Sequence, residues 1–239
     1  MPHRWDEVAC LRRQQIDSGL DLTFSRVFVP YYEHLVTEIN PQTILEVGGG
    51  TGHLAKALCE VPEIYMMIEP SLGMYKVATE VLDGKKVTLH NCAMESFCNE
   101  MLFELVISHM CIHSVSNIAE FCKAISRRLT VAGMFLMSLP HPAFYNDYKK
   151  FFLPEEFRYV NEQVKDVNFS VTLAPEQVIE GVPYCHRPLS AYVSHLVAAG
   201  LCLTRLDEIF PAPEIQELYG QPWKDPRYLV LGGSLMQKL

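Results

Sequence analysis

The residues with the most chemistry in this 239-residue chain begin at Glu46. An apolar, β-branched run, Thr43-Ile44-Leu45-Glu46-Val47, carries one acid, and glycines follow at Gly48, Gly49, Gly50 and Gly52. Leu54, Ala55 and Leu58 then open an amphipathic pattern. This reads as a strand, a tight turn and a helix N-terminus, where a ligand can touch bare backbone. Glycines at 48, 50 and 52 permit positive φ and close approach where a Cβ would clash. A dinucleotide fingerprint started at Gly48 and Gly50 would need a small residue where His53 stands. The spacing that fits, E-x-G-x-G-x-G, implies no pyrophosphate. A second acid, Glu69, ends the next apolar run just before Pro70. His109, His113, His141 and His186, four of nine histidines, are the side chains suited to take a proton from a nucleophile.

Strands and helices alternate from residue 43 onward. Ile64 to Glu69 is an expected strand, and Ser71 can cap a helix through about Leu82. Lys86 to His90 and Leu105 to Ser108 are further strands. Asn117 to Leu129 is a helix with Ile118, Phe121, Cys122, Ile125 and Leu129 on one face, and Gly133 to Leu139 is the next strand. The alternation predicts an α/β, Rossmann-like fold, a parallel sheet with helices on both faces. Pro140-His141-Pro142 breaks the rhythm. Val167, Phe169, Val171 and Leu173 then alternate with polar residues, and Val178 to His186 is a second extended stretch after Pro175. Pro188 starts a helix that Gly200 stops, and Leu201 to Ile209 and Tyr228 to Gln237 supply two last strands. The expected organisation is an N-terminal helical cover over 1–40, broken near Ser18-Gly19 and Pro30, a core over 41–140, a small cover insert over 141–187, partly a hairpin, and completion of the core sheet over 188–239.

The net charge of −8, with no long Lys/Arg run, argues against nucleic acid as a partner. Lys149-Lys150 and Arg127-Arg128 read as solvated pairs. No apolar run reaches the ~18–20 residues that span a bilayer, and the N-terminus lacks a signal-peptide stretch, so a cytoplasmic protein without membrane attachment is expected. None of the eight cysteines forms C-x-x-C, which points to reduced thiols and to no metal site.

Six segments, taken in order, resemble class I S-adenosylmethionine (SAM) dependent methyltransferases: ILEVGGGTGHLAKAL, MMIEPSLGM, NCAMESF, FELVISHMCIHSV, RRLTVAGMFLMSLPHP and YCHRPLSAYVSHLVAAGL. The likeness covers roughly residues 40–235 and looks nearest to the small-molecule branch, including enzymes of specialised metabolism. It implies a seven-stranded sheet of order 3-2-1-4-5-7-6 with the last strand antiparallel, and SAM as cofactor with S-adenosylhomocysteine (SAH) as product. The fold does not identify the substrate.

Ligands in such sheets sit outside the C-terminal strand ends. The resemblance therefore implies that Glu46 lies near the ammonium group of the SAM tail, that Gly48, Gly49, Gly50 and Gly52 line its ribose and tail, and that Glu69, followed by Pro70, accepts both ribose hydroxyls. Ala93 and Met94 match the segment that holds adenine, although Cys92 stands where the family usually has an acid. Met74 could flank the adenine or pack in the core. Ser108, His109 and Met110 follow the fourth strand, where backbone carbonyls usually face the methionine tail.

Methyl transfer is an in-line displacement at carbon, so alignment supplies much of the rate, and a base helps only where the nucleophile must lose a proton. His186, His141 and His113 are the candidate bases. If His186 or His141 serves, the pH–rate profile rises near ~6–7. Tyr184, Arg187, Tyr31, Arg26 and Phe144 are candidate substrate contacts, with Arg26 or Arg187 suited to clamp a carboxylate. His53 and Lys56 read as surface or tail-adjacent, and His195 as structural. The resemblance thus implies O- or N-methylation of a small molecule by a monomer or homodimer. A cyclase or isomerase that keeps SAM as a fixed cation, a protein methyltransferase and a non-catalytic partner subunit are the competing readings.

Overall fold

The computed structural model describes residues 4–220 and 222–236. Its main sheet has seven strands: β1 (Thr43–Val47), β2 (Ile64–Ile68), β3 (Val87–His90), β4 (Phe103–His109), β5 (Leu129–Pro140), β8 (Leu201–Ile209) and β9 (Tyr228–Leu235). Their order is β3-β2-β1-β4-β5-β9-β8, which is the expected 3-2-1-4-5-7-6 once the separate hairpin strands β6 (Gln163–Val171) and β7 (Ala174–His186) are set apart. Strands β1 to β5 run parallel, and β9 is antiparallel to both β5 and β8. Side chains alternate across this sheet. Ile44, Met67, Leu105 and Ile107 enter a core shared with α2 (Val29–Ile39) and α3 (His53–Leu58). Leu45, Val47, Ile68 and Val106 enter a second core shared with α5 (Ile118–Ser126) and α7 (Leu189–Ala198). Each fully buried aliphatic or aromatic side chain contributes about 1.5–3 kcal/mol, so the central strands are rigid supports for the loops at their ends.

Local chemistry explains most boundaries. Helix α4 (Leu72–Val81) starts where expected because the Ser71 hydroxyl accepts the Met74 N–H at 3.1 Å. Helix α5 stops three residues short of the expected Leu129. Leu129 instead pairs with Phe103 at the start of β5, where the Arg128 carbonyl accepts the Phe103 N–H at 2.7 Å. Sheet pairing takes the residue that helical spacing alone would assign to α5.

In the N-terminal region, α1 (Ala9–Asp17) ends at the Ser18-Gly19 turn as expected, with Gly19 at φ 69°. Pro30 does not break the chain. A π-helical segment, Thr23–Phe28, runs directly into α2, and Pro30 lies within that continuous helix just after the π-helical turns.

The segment after β5 forms the short helix α6 (Tyr145–Lys149) and a two-stranded hairpin, β6 (Gln163–Val171) with β7 (Ala174–His186). Pairing of Val171 with Ala174 leaves Thr172 and Leu173 as the tight turn. Leu173, expected to continue the strand's apolar face, is therefore 45% exposed, and Pro175 lies inside β7 rather than before it.

Candidate functional site

The C-terminal ends of β1, β2 and β4 converge on a cavity of about 270 Å³. The crook after β1 hangs from its neighbour: the Ile68 carbonyl accepts the N–H groups of Gly48 (2.9 Å) and Gly49 (3.2 Å). Gly48, Gly50 and Gly52 all take positive φ, at 69°, 58° and 79°. A Cβ on Gly49 would lie 2.6 Å from the Met67 side chain, whereas one on Gly50 would meet open space. Gly49 is thus required by packing, and Gly50 presents its backbone to the cavity.

Glu69 stands across from that backbone. One carboxylate oxygen accepts the Gly50 N–H at 2.9 Å and the other accepts the Ser71 N–H at 2.8 Å. Each oxygen keeps a further lone pair. Burial raises its pKa to about 7, against the downward pull of the two backbone N–H groups. Glu46 is buried too and accepts the Tyr65 hydroxyl at 2.8 Å; burial raises its pKa to about 8.

The N-terminal segment closes this end. Asp6 accepts the Ser71 hydroxyl (2.6 Å) and the Gly73 N–H (3.0 Å), which seats the segment on the first turn of α4. A Cβ on Gly73 would lie 2.4 Å from the Asp6 carbonyl oxygen, so only glycine admits the contact. Trp5 joins the cavity wall. Helix α1 is tied to the crook by a relay in which Thr51 Oγ1 bonds His53 Nδ1 (2.8 Å) and His53 Nε2 bonds Asp17 (2.9 Å). Arg12 pairs with Asp21 at 2.6 Å on the same wall.

Opposite, the β6–β7 hairpin forms a roof, and Tyr145 of α6, Phe151, Tyr184 of β7 and Tyr228 of β9 form an aromatic wall. His109 and His113 reach the cavity between the two halves. Burial lowers the pKa of His109 to about 3 and of His113 to about 4, so both imidazoles are neutral near pH 7. His109 Nδ1 bonds the Ser138 hydroxyl at 2.7 Å, while His113 Nδ1 is enclosed with no partner among the described residues.

Of the residues singled out for the cofactor, Glu46, Gly48, Gly49, Gly50 and Glu69 line the cavity, as do Pro70, Met74, His109 and Met110. The structure does not bring the others there. Gly52 is the N-cap of α3 and faces Leu82 and Ala78. Ser108 is buried on the strand position before His109, with no hydroxyl partner among the described residues. Ala93 and Met94 stay outside the lining, and Met94 packs into the α5-side core.

Among the candidate bases and substrate contacts, His113 and Tyr184 line the cavity. His141 packs against the tilted ring of Phe144 (ring centroids 4.6 Å) and faces Glu208 at 3.3 Å; both aromatic rings lie outside the cavity lining. His186 lies one strand repeat past Tyr184, outside the cavity, against Phe152 and Phe157, and bonds the Tyr159 carbonyl at 3.0 Å. Arg187 is buried as a strut: it bonds the carbonyls of Val115 (2.8 Å) and Ser116 (3.0 Å), and Glu162 (3.2 Å). Tyr31 donates to Asp207 at 2.6 Å, and Arg26 is exposed. Sequence reasoning missed Trp5 and Asp6, which carry no local motif, and Lys149, whose doublet with Lys150 resembled a solvated pair.

A profile of the methyltransferase domain family matches residues 45–137, from within β1 to within β5. The strand order around this stretch is that of the Rossmann-like methyltransferase fold. The match holds the crook, Glu69, His109 and His113. A 73-residue stretch is 41% identical to an uncharacterised methyltransferase of Geobacillus kaustophilus; it covers 30% of this chain and 34% of that protein, so the chain aligns with about a third of the relative's length. Among solved structures, a Listeria monocytogenes protein assigned as a SAM-dependent methyltransferase is 23% identical, with a TM-score of 0.64 over 85% of this chain and 97% of that one. The glycopeptide N-methyltransferase MtfA complexed with SAM is 14% identical, with a TM-score of 0.63 over 87% of each chain. A chain from the complex of a Haloferax volcanii methyltransferase with its activator Trm112 is also 14% identical, with a TM-score of 0.65 over 99% of this chain and all of that one. At these identities the likeness is one of fold.

Proposed function

We propose that this chain is a SAM-dependent methyltransferase that transfers a methyl group to an oxygen or nitrogen of a small molecule in the cytoplasm. The observation that carries the reading is the pairing of Gly50 and Glu69. A buried carboxylate, braced by two backbone N–H groups, faces a bare stretch of main chain at the strand ends of a methyltransferase domain. Its two remaining lone pairs suit the two vicinal hydroxyls of a ribose. Gly48 and Gly50 would admit the nucleoside against the backbone, and Glu46 would stand near its ammonium tail. When bound, SAM supplies an electrophilic sulfonium methyl. This chain's own residues orient the acceptor, exclude water under the hairpin roof and hold the released proton. The roof favours a small molecule over a folded protein as acceptor, and the glycopeptide enzyme of like fold is compatible with specialised metabolism.

Incubation with SAM and a metabolite extract, read by mass spectrometry for SAH and a methylated product, tests the reading. Bound SAH without turnover would favour a fixed-cation isomerase or cyclase instead. Failure of SAH to bind in calorimetry would overturn both.

The glycines separate packing from ligand contact. Gly49→Ala forces a Cβ into Met67 and is expected to cost about 1–3 kcal/mol of stability. Gly50→Ala costs about 1–2 kcal/mol of left-handed strain, but its methyl enters the cavity and is expected to weaken SAH about tenfold or more. Thermal denaturation and calorimetry on both variants decide this.

His113 is the candidate base, since it lines the cavity and His141 and His186 do not. His113→Ala is expected to lower kcat about a hundredfold with SAH affinity unchanged. With its pKa held near about 4, kcat at saturating SAM is expected to stay level from about pH 6 to 9 and to fall only toward pH 4. A rise through about pH 6–7 would assign the proton to another group.

A further inference from the structure

Lys149 is the feature that the methyltransferase reading leaves unexplained. Its ammonium donates to the Ser170 carbonyl at 2.9 Å and lies over the Tyr148 ring at 4.7 Å from the centroid. Among the described residues, no carboxylate lies within ion-pair distance of it, whereas Arg12, the other long cation on the cavity wall, is neutralised by Asp21. Ser170 and Thr172 line the same wall, and so does Phe151. One of three ammonium donors is used, which leaves two for a ligand.

This placement is built into the chain. Helix α6 ends at Lys150 in the left-handed region, at φ 53°. The Asn146 side chain then bonds Phe152 twice, accepting its N–H at 2.9 Å and donating to its carbonyl at 3.1 Å. Lys165 fastens the Phe151 carbonyl at 3.0 Å. The closed loop turns Lys149 and Phe151 inward together.

We infer that the acceptor has an apolar, aromatic body with an anionic carboxylate end: the body packs on the Tyr145–Phe151–Tyr184 wall and the carboxylate pairs with Lys149. The inference rests on the methyltransferase reading for the word acceptor, and on the cavity alone for the chemistry of what binds. An ammonium-bearing compound finds no free acid on that wall.

The test uses the full chain, titrated with 1-naphthoate, 1-naphthamide and 1-naphthylmethylammonium, each with and without SAH. Naphthoate is expected to bind about tenfold more tightly than naphthamide. Lys149→Met is expected to erase that preference by weakening naphthoate alone, and Lys149→Arg to keep most of it. Unchanged naphthamide affinity in Lys149→Met reports an intact cavity. No measurable naphthoate binding, equal binding of acid and amide, a preference that survives Lys149→Met, or a preference for the ammonium probe would overturn the inference. SAH binding in the same samples is a separate readout: its absence would remove the methyltransferase reading and leave the naphthoate result standing.

Discussion

Glu69→Ala is expected to weaken SAH roughly ten- to hundredfold in calorimetry while leaving the sheet folded. The ribose loses its bonding to an ionised, buried carboxylate, and hydrogen bonding to a charged group contributes about 1.5–3 kcal/mol. The same residue predicts a pH dependence. With burial raising its pKa to about 7, the free protein at pH 5.5 holds Glu69 protonated, and a neutral carboxyl is a poorer acceptor. Affinity for SAH is therefore expected to rise about tenfold from pH 5.5 to 8. Glu69→Gln should be weak and level across that range. A Glu69→Ala protein that stays folded and binds SAH as the parent does would remove the carboxylate from the ligand.

The second large effect concerns stability. Glu46 and Glu69 have folded-state pKa values of about 8 and about 7, both raised from the ordinary 4.5. The folded chain thus holds these protons more tightly than the unfolded chain. Their stabilising contribution is full below about pH 4.5 and is lost progressively as pH rises through about 7 and then about 8. His53, His109, His113, His141 and His186 work in the opposite sense, because burial lowers each, and they lose stability as pH falls below about 6.5. At pH 6.5 the unfolded histidines are still half protonated; only above about pH 7.5 are they neutral in both states, and there the two carboxyl groups dominate. The ligand-free protein is expected to lose about 1 kcal/mol between pH 7.5 and 9, a fall in Tm of roughly 2–4 °C. Glu46→Gln keeps an acceptor for Tyr65, cannot ionise and should remove the larger part of that fall. A Tm that is level or rising over this range would mean that Glu46 is ionised in the fold.

The two acids show why some of the site was legible. Glu46 and Glu69 sit at the ends of apolar runs, and a buried acid at a strand end is a local pattern. Lys149 carries no such pattern. Its inward turn depends on Asn146 reaching Phe152 and on β6 presenting the Ser170 carbonyl, contacts that cross six and 21 positions. His186 is the converse case: two-residue periodicity puts it on the face of Tyr184, but it packs among Phe152, Phe157 and Tyr159, outside the cavity lining.

By itself the sequence determined the alternation of strands and helices, the crook with its glycines, and the acid across from it, because strand periodicity, capping and positive φ are short-range constraints written within a few residues. Tertiary structure alone decided which histidines meet the cavity, that Arg187 is a strut rather than a clamp, that Trp5 and Asp6 close the cavity at the Glu69 end, and that Lys149 faces inward. Those outcomes follow from packing between segments far apart in the chain, where burial and the need to satisfy each polar group select one arrangement that no local pattern encodes.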